Sequence, residues 1–193
     1  MQFNNLKIYN VLSNSGKESF KEKSEFILFK LGKPISMATS IPNKVTIILE
    51  GKARLLSKDS TSLKTIAKLG PGSIIGLSSL LRAEPTELIK ASEELKTIQL
   101  PDSLIINFYK EEQGFRDFCD NSIYPGEVLS LAKYLITKSN RTDINLVKAF
   151  NLLNKNSEIV SLENNSNVKF SKDYKQFITS NNIINKSLFQ LLE

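Results

Sequence analysis

Residues 44–101 read KVTIILEGKARLLSKDSTSLKTIAKLGPGSIIGLSSLLRAEPTELIKASEELKTIQLP, and the fold prediction rests mainly on this segment. It alternates short β-branched runs with turn residues, including a Gly-Pro-Gly turn at residues 70–72. A short helix is predicted directly after Gly76, so its unpaired backbone N–H groups would lie at the mouth of a β structure and suit an anion. Strands this short, divided this often by turns, favour an antiparallel roll or barrel over a parallel α/β sheet.

The residues before this stretch add smaller elements. Apolar spacing predicts a short amphipathic helix over residues 6–12, and the run FILF predicts a strand over 26–29. Between them, residues 13–25 are rich in Lys and Glu, which indicates a solvated connector or a helix face.

The residues after the roll are predicted to be helical. Apolar side chains at helical spacing indicate two short helices within residues 104–119, separated near Gly114. Cys119 lies in their apolar stripe beside two aspartates, which favours a buried, unreactive thiol. A longer helix is predicted to begin at Pro125-Gly126.

The last quarter of the chain repeats the opening pattern. Residues 147–153 resemble the helix at 6–12, and a strand predicted at 174–178 corresponds to the one that begins the central stretch. We therefore predict an α+β fold in which residues 1–121 form an antiparallel β-roll of the jelly-roll type with flanking helices. Residues 122–193 would form a helical connector and an incomplete second helix-strand repeat; chance similarity of two short units is the alternative.

Composition excludes several classes of function. The 193 residues include no histidine and one cysteine, so an internal disulfide, a multi-thiolate metal site and histidine-assisted catalysis are all excluded. We expect no enzyme activity, no cofactor and no metal.

The net charge is +6, but 22 of the 26 basic residues are scattered lysines, which does not favour a nucleic-acid interface. No apolar run approaches the ~20 residues of a membrane span and no signal peptide is recognisable, so we expect a cytoplasmic location.

Three motifs carry a family resemblance. The hairpin ILEGKARLL, the turn LGPGSIIG and the segment SSLLRAEP follow one another at residues 48–56, 69–76 and 78–85. In this order they resemble the cyclic nucleotide-binding-domain β-roll, which catabolite-activator-type regulators, kinase regulatory subunits and gated channels share. The resemblance spans about residues 5–120 and implies that the third motif is the short helix called the phosphate-binding cassette.

The resemblance also implies that the ligand site has degenerated. Members that bind ligand carry Glu after the cassette glycine, where this chain has Leu77, and Arg after the cassette proline, where it has Thr86. The ribose acceptor and the phosphate clamp are both missing. Cyclic nucleotide binding is therefore not expected. The residues that would form the degenerate cassette are Gly76, Leu77, Ser78, Ser79, Arg82, Pro85 and Thr86.

Local charge supports this reading. Between Arg82 and Glu94 two basic residues face four acidic ones, a net charge of −2 where a phosphate would lie. Arg82 is expected to form a surface ion pair with one of three nearby acids rather than to replace the missing clamp. Those acids are Glu84, Glu87 and Glu93.

The segment GLSSLLRAEPTELIKAS and the partial repeat resemble the N-terminal cytoplasmic region of cyanobacterial ABC-type exporters of the toxin or bacteriocin class. This implies a regulatory or docking domain whose partners are exporter domains or their peptide substrate, at the inner face of the plasma membrane. A catabolite-activator-type (CRP/FNR-like) transcription regulator is the main alternative, with residues 127–138 as part of a dimer helix. A true cyclic-nucleotide sensor and a homodimer also remain open.

Overall fold

The computed structural model describes residues 3–58, 62–141 and 143–159. The strands are β1 (Glu25–Phe29), β2 (Pro34–Ser36), β3 (Lys44–Glu50), β4 (Ala53–Lys58), β5 (Leu63–Leu69), β6 (Ile74–Ile75), β7 (Leu88–Ala91) and β8 (Leu95–Pro101). The helices are α1 (Lys7–Asn10), α2 (Asn14–Lys23), α3 (Leu77–Arg82), α4 (Asp102–Glu111), α5 (Gln113–Asp120), α6 (Pro125–Lys138) and α7 (Leu146–Asn156). A 3-10 helix, Phe3–Asn5, precedes α1.

The strands form two antiparallel sheets. Sheet A has the order β1-β8-β3-β6, and sheet B has the order β2-β7-β4-β5. Strands adjacent in sequence often lie in different sheets, which is the roll topology, so the predicted antiparallel roll with flanking helices is confirmed.

The alternation of apolar residues along β3 divides the core into two clusters. Ile47 faces outward from sheet A into a cluster formed with the helices, and Ile48 faces inward into a cluster between the sheets. The outer cluster includes Phe20 and Phe115, both fully buried. The period-2 pattern therefore places the helices on one face of sheet A and the interior of the roll on the other.

Several sequence-based elements differ in extent. The first helix covers only Lys7–Asn10, although Leu6 and Leu12 on either side of it are also buried. Residues 13–25, interpreted as a connector or a helix face, form α2 for most of their length. Its N-cap is Ser13, whose Oγ accepts from Gly16 N–H at 3.1 Å.

Helices α6 and α7 pack onto the roll. Val128 and Leu129 of α6 and Phe150 of α7 belong to the same buried cluster as Ile48 and Leu55. The strand predicted at residues 174–178 lies outside the described residues, so the division into residues 1–121 and 122–193 stays a prediction.

Candidate functional site

The predicted cassette helix is α3, and its first turn depends on Gly76. This residue is the N-cap of α3 and has φ of +90°, a left-handed conformation that L side chains rarely adopt. A Cβ atom here would lie 2.8 Å from Cγ of Pro42 and 3.3 Å from the carbonyl oxygen of Lys44. Glycine is therefore required both by the backbone conformation and by the close approach of the loop before β3.

A carboxylate of the chain occupies the start of this helix. The Oε1 atom of Glu87 accepts a short hydrogen bond from Gly76 N–H, and Glu87 is only 4% exposed. Burial raises the pKa of Glu87 to about 7; the Gly76 hydrogen bond opposes this rise, and the charge of Glu127 adds to it. A buried acidic side chain of the protein thus bonds to the backbone of the residue that begins α3.

The hydroxyl groups of the cassette bond to one another. Ser78 Oγ lies 2.9 Å and Ser79 Oγ lies 3.0 Å from Thr86 Oγ1, and Thr86 N–H donates to Ser79 Oγ at 3.1 Å. Ser78 and Ser79 are 2% and 1% exposed. These hydroxyl groups tie the loop after α3 back onto the helix.

Arg82 does not make the surface pair that the sequence suggested. Its Nε donates to Oε1 of Glu127 at 2.5 Å, and the two side chains are 14% and 12% exposed. The prediction that Arg82 pairs with Glu84, Glu87 or Glu93 is therefore wrong. Helix α6 lies against the cassette, which brings Glu127, 45 positions away in sequence, within hydrogen-bond distance of the Arg82 guanidinium.

Leu77, which stands where ligand-binding members are expected to carry Glu, is fully buried. It belongs to the apolar cluster shared by sheet A and the helices. Pro85 is half-buried in the loop that ends at Thr86. The structure thus brings Gly76, Ser78, Ser79 and Thr86 together, whereas Leu77 packs into the core and Arg82 is engaged by α6.

Comparison with solved structures gives the fold. A candidate cyclic nucleotide-binding protein from Geobacter metallireducens GS-15 is similar with a TM-score of 0.51 and 20% identity, over 60% of this chain and 84% of that one. A candidate Crp/Fnr-family transcriptional regulator from Eubacterium rectale has a TM-score of 0.54 and 14% identity, over 77% and 80%. This chain has a cyclic nucleotide-binding-like fold.

A third similar structure is the regulatory subunit of a cAMP-independent protein kinase A from Trypanosoma brucei. Its TM-score is 0.52 at 20% identity, and the alignment covers 60% of this chain and 41% of that one. These neighbours are regulatory or binding proteins rather than enzymes. No protein-family profile and no curated protein matches the sequence.

Helix α6 closes the cassette of this cyclic nucleotide-binding-like roll from one side. At Gly126, a Cβ atom would lie 3.0 Å from Oγ1 of Thr86 and 3.2 Å from Cβ of Glu87. The start of α6 therefore rests directly on the loop that follows α3. The Pro-Gly-Glu sequence at residues 125–127 was a signal for this contact, because Pro begins a helix and Gly permits the close approach.

Two acids at this site were not among the residues predicted to form the cassette, namely Glu87, which the sequence analysis counted only as an adverse charge and a candidate partner of Arg82, and Glu127. Burial raises the pKa of Glu127 as well, and the hydrogen bond and charge of Arg82 oppose that shift.

Within the described residues no group of three or more potential ligands could hold a metal ion. None of the described helices combines the length and apolar character needed to cross a bilayer.

Proposed function

We propose that the chain is a non-catalytic regulatory or docking domain whose cyclic-nucleotide cassette is occupied by its own side chains. The observation that carries this proposal is the buried hydrogen bond from Gly76 N–H to the carboxylate of Glu87. It satisfies the backbone group that opens α3 with a group the chain itself supplies. Such a domain would respond to a partner protein rather than to a cyclic nucleotide.

Electrostatics argue against a phosphate at this position. The one guanidinium of the cassette, Arg82, is engaged by Glu127, and Glu87 lies where the phosphate would approach. Glu87 is mostly ionised only above its pKa of about 7, and at an effective dielectric constant near 20 two like charges about 4 Å apart then repel by about 4 kcal/mol. A cyclic nucleotide would have to displace a buried acid without a free cation to replace it.

The interior of the roll is closed as well. Val128, Leu129 and Phe150 join the apolar cluster between the two sheets. Binding a base inside the roll would require these side chains to leave, with a loss of about 2 kcal/mol for each large apolar group returned to water. Helices α6 and α7 thus take the space that a ligand would need.

Calorimetric titration of the full chain with cyclic AMP and with cyclic GMP tests the proposal. We expect no heat of binding from either nucleotide at submillimolar concentration. A matched variant, Thr86→Arg with Glu87→Gln, restores a cation after Pro85 and removes the competing charge, so weak binding is expected from it alone. Micromolar binding by the unmodified chain would show that the cassette is a working sensor and would overturn the proposal.

Association with an ABC-type peptide or toxin exporter is the finer part of the proposal. Its support is the sequence resemblance of residues 76–92. The chain would then act through exporter domains or their peptide substrate. Purification of the tagged chain from its source under mild detergent, followed by identification of co-purifying proteins, tests this. Recovery without a transporter component counts against it.

A transcription regulator is the second candidate. The structural similarity to the Crp/Fnr-type protein extends over 77% of this chain, beyond the roll and into the following helices. Fluorescence anisotropy with random-sequence duplex DNA at low salt separates the two candidates. A regulator would bind with an affinity that falls steeply as salt is raised, whereas a docking domain would not bind.

A further inference from the structure

The two sheets differ in their balance of charge. The strands of sheet A carry two lysines and two glutamates, and both lysines are paired, Lys44 with Glu25 at 2.6 Å and Lys96 with Glu50 at 2.7 Å. The strands of sheet B carry no acidic residue. Their basic residues are Arg54, Lys58, Lys64, Lys68 and Lys90.

Three of these cations stand in one row across sheet B. In the strand register Arg54 of β4 lies directly opposite Lys68 of β5 on one side and Lys90 of β7 on the other. Residues directly opposite have Cβ atoms about 5 Å apart and point to the same face of the sheet, and like charges in such positions destabilise it. Lys58, four residues along β4, points to that face about 13 Å away.

No described residue compensates this row. Arg54, Lys68 and Lys90 form no ion pair with any described residue, and Nε of Arg54 is buried without a hydrogen-bond acceptor. An unpaired buried donor costs stability. Two acidic residues, Glu93 and Glu94, follow the end of β7, so the row of basic residues does not continue past that end. The repulsion between the like charges of the row is therefore unfavourable in the isolated chain, and an external anion near the exposed Lys68 would relieve that repulsion.

An exposed leucine lies on the same face. Leu63 of β5 is directly opposite Lys58 in the register and is 47% exposed. We call Arg54, Lys58, Lys68, Lys90 and Leu63 together the basic face. It combines spread positive charge with an apolar side chain at its rim.

We propose that the basic face of sheet B binds the surface of a membrane that contains anionic lipids. Lysine and arginine near such a surface are attracted by its negative potential, and a rim leucine can enter the headgroup region. A single-stranded nucleic acid fits less well, because the described strands of sheet B contain no aromatic residue on which bases could stack. This inference is independent of the closed cassette.

Co-sedimentation of the full chain with vesicles tests the proposal. Vesicles of phosphatidylcholine alone are compared with vesicles that also contain phosphatidylglycerol, at low and at high salt. We expect binding only to the anionic vesicles and weaker binding as salt screens the charges. The test variant replaces Arg54, Lys68 and Lys90 by Gln; the control replaces Lys7, Lys110 and Lys155, which are exposed and lie outside sheet B, by Gln.

The test variant and the control lose the same net charge, so only the position of the charge differs. Each basic residue close to the anionic membrane raises the binding affinity by roughly a factor of five. The test variant, which lacks three such residues, should therefore bind about a hundredfold more weakly, and the control only slightly more weakly. Leu63→Ser should weaken the binding that remains at higher salt. Equal loss in variant and control, no retention of the unmodified chain on anionic vesicles, or preferential binding of duplex DNA would each overturn the proposal. Thermal unfolding of every variant verifies that it is folded.

Discussion

Nε of Arg82 lies 2.5 Å from Oε1 of Glu127, in an ion pair that joins the last turn of α3 to the first turn of α6. Both side chains are largely buried, so the pair lacks the solvent screening that weakens surface pairs. It joins helix α6 to the cassette helix α3.

Removing one partner of this pair is expected to be costly. Arg82→Met leaves Glu127 buried without its cation and near Glu87, and we expect a loss of about 3 kcal/mol in the free energy of unfolding. The double variant with Arg82→Met and Glu127→Met should lose less free energy of unfolding than the sum of the losses of the two single variants. Urea unfolding measures all of them.

Arg141→Met is the control, because the Arg141–Asp143 pair is equally short but exposed, and its loss should cost less than about 1 kcal/mol. Additive losses at Arg82 and Glu127 would contradict a coupled pair.

The pH dependence of stability should report on Glu87. Burial raises its pKa from 4.5 to about 7, so the native state binds a proton more tightly than the unfolded chain, and stability falls as pH rises between these values. The loss across this window is of the order of 3 kcal/mol. Glu87→Gln should change stability little at pH 4 and raise it at pH 8.

The measurement for Glu87 is urea unfolding at several pH values from 4 to 8. Glu84→Gln serves as the control, because Glu84 is exposed and has no hydrogen bond from Gly76. If the unmodified chain and Glu87→Gln show the same slope of stability against pH, the raised pKa assigned to Glu87 is wrong.

Gly76→Ala separates two reasons for glycine at the start of α3. Gly72 has φ of +84° with no atom within 4 Å of the Cβ position, whereas Gly76 has φ of +90° and a Cβ that would meet Pro42 at 2.8 Å. Gly72→Ala should therefore cost about 1 kcal/mol from backbone conformation alone, and Gly76→Ala should cost at least twice that. Equal melting temperatures for the two variants would show that the loop at Pro42 moves away from the added Cβ atom without a loss of stability.

The hydroxyl network predicts a smaller effect. Thr86→Val keeps the shape of the side chain but removes the oxygen that bonds to Ser78 and Ser79, so we expect a loss of about 1 kcal/mol. Thr65→Val on β5 is an exposed control that should change stability by less than half of this. Thermal unfolding compares them, and a neutral Thr86→Val would mean that the two serines bond equally well to other groups.

Local patterns made much of the fold predictable. The β-branched run at β3, the turn at residues 70–72 and the start of α6 at Pro125 each follow from neighbours in sequence. The contacts that Glu87 and Arg82 make at the cassette do not follow from neighbouring residues. The hydrogen bond from Gly76 to Glu87 depends on where the loop before β7 lies, and the pairing of Arg82 depends on the contact of α6 with the cassette; local sequence specifies neither. Sequence reasoning counted Glu87 as an unfavourable charge for a ligand, but it could not show that this side chain accepts a hydrogen bond from Gly76 at the start of α3.

The single thiol of the chain offers a reporter for movement of the helical layer. Cys119 on α5 is 1% exposed, and burial raises its pKa to about 12. Alkylating reagents attack the thiolate, so labelling at neutral pH requires that this layer first separate from sheet A. The rate at which maleimide consumes Cys119 therefore counts opening events directly, with no engineered probe and no second cysteine to obscure the signal.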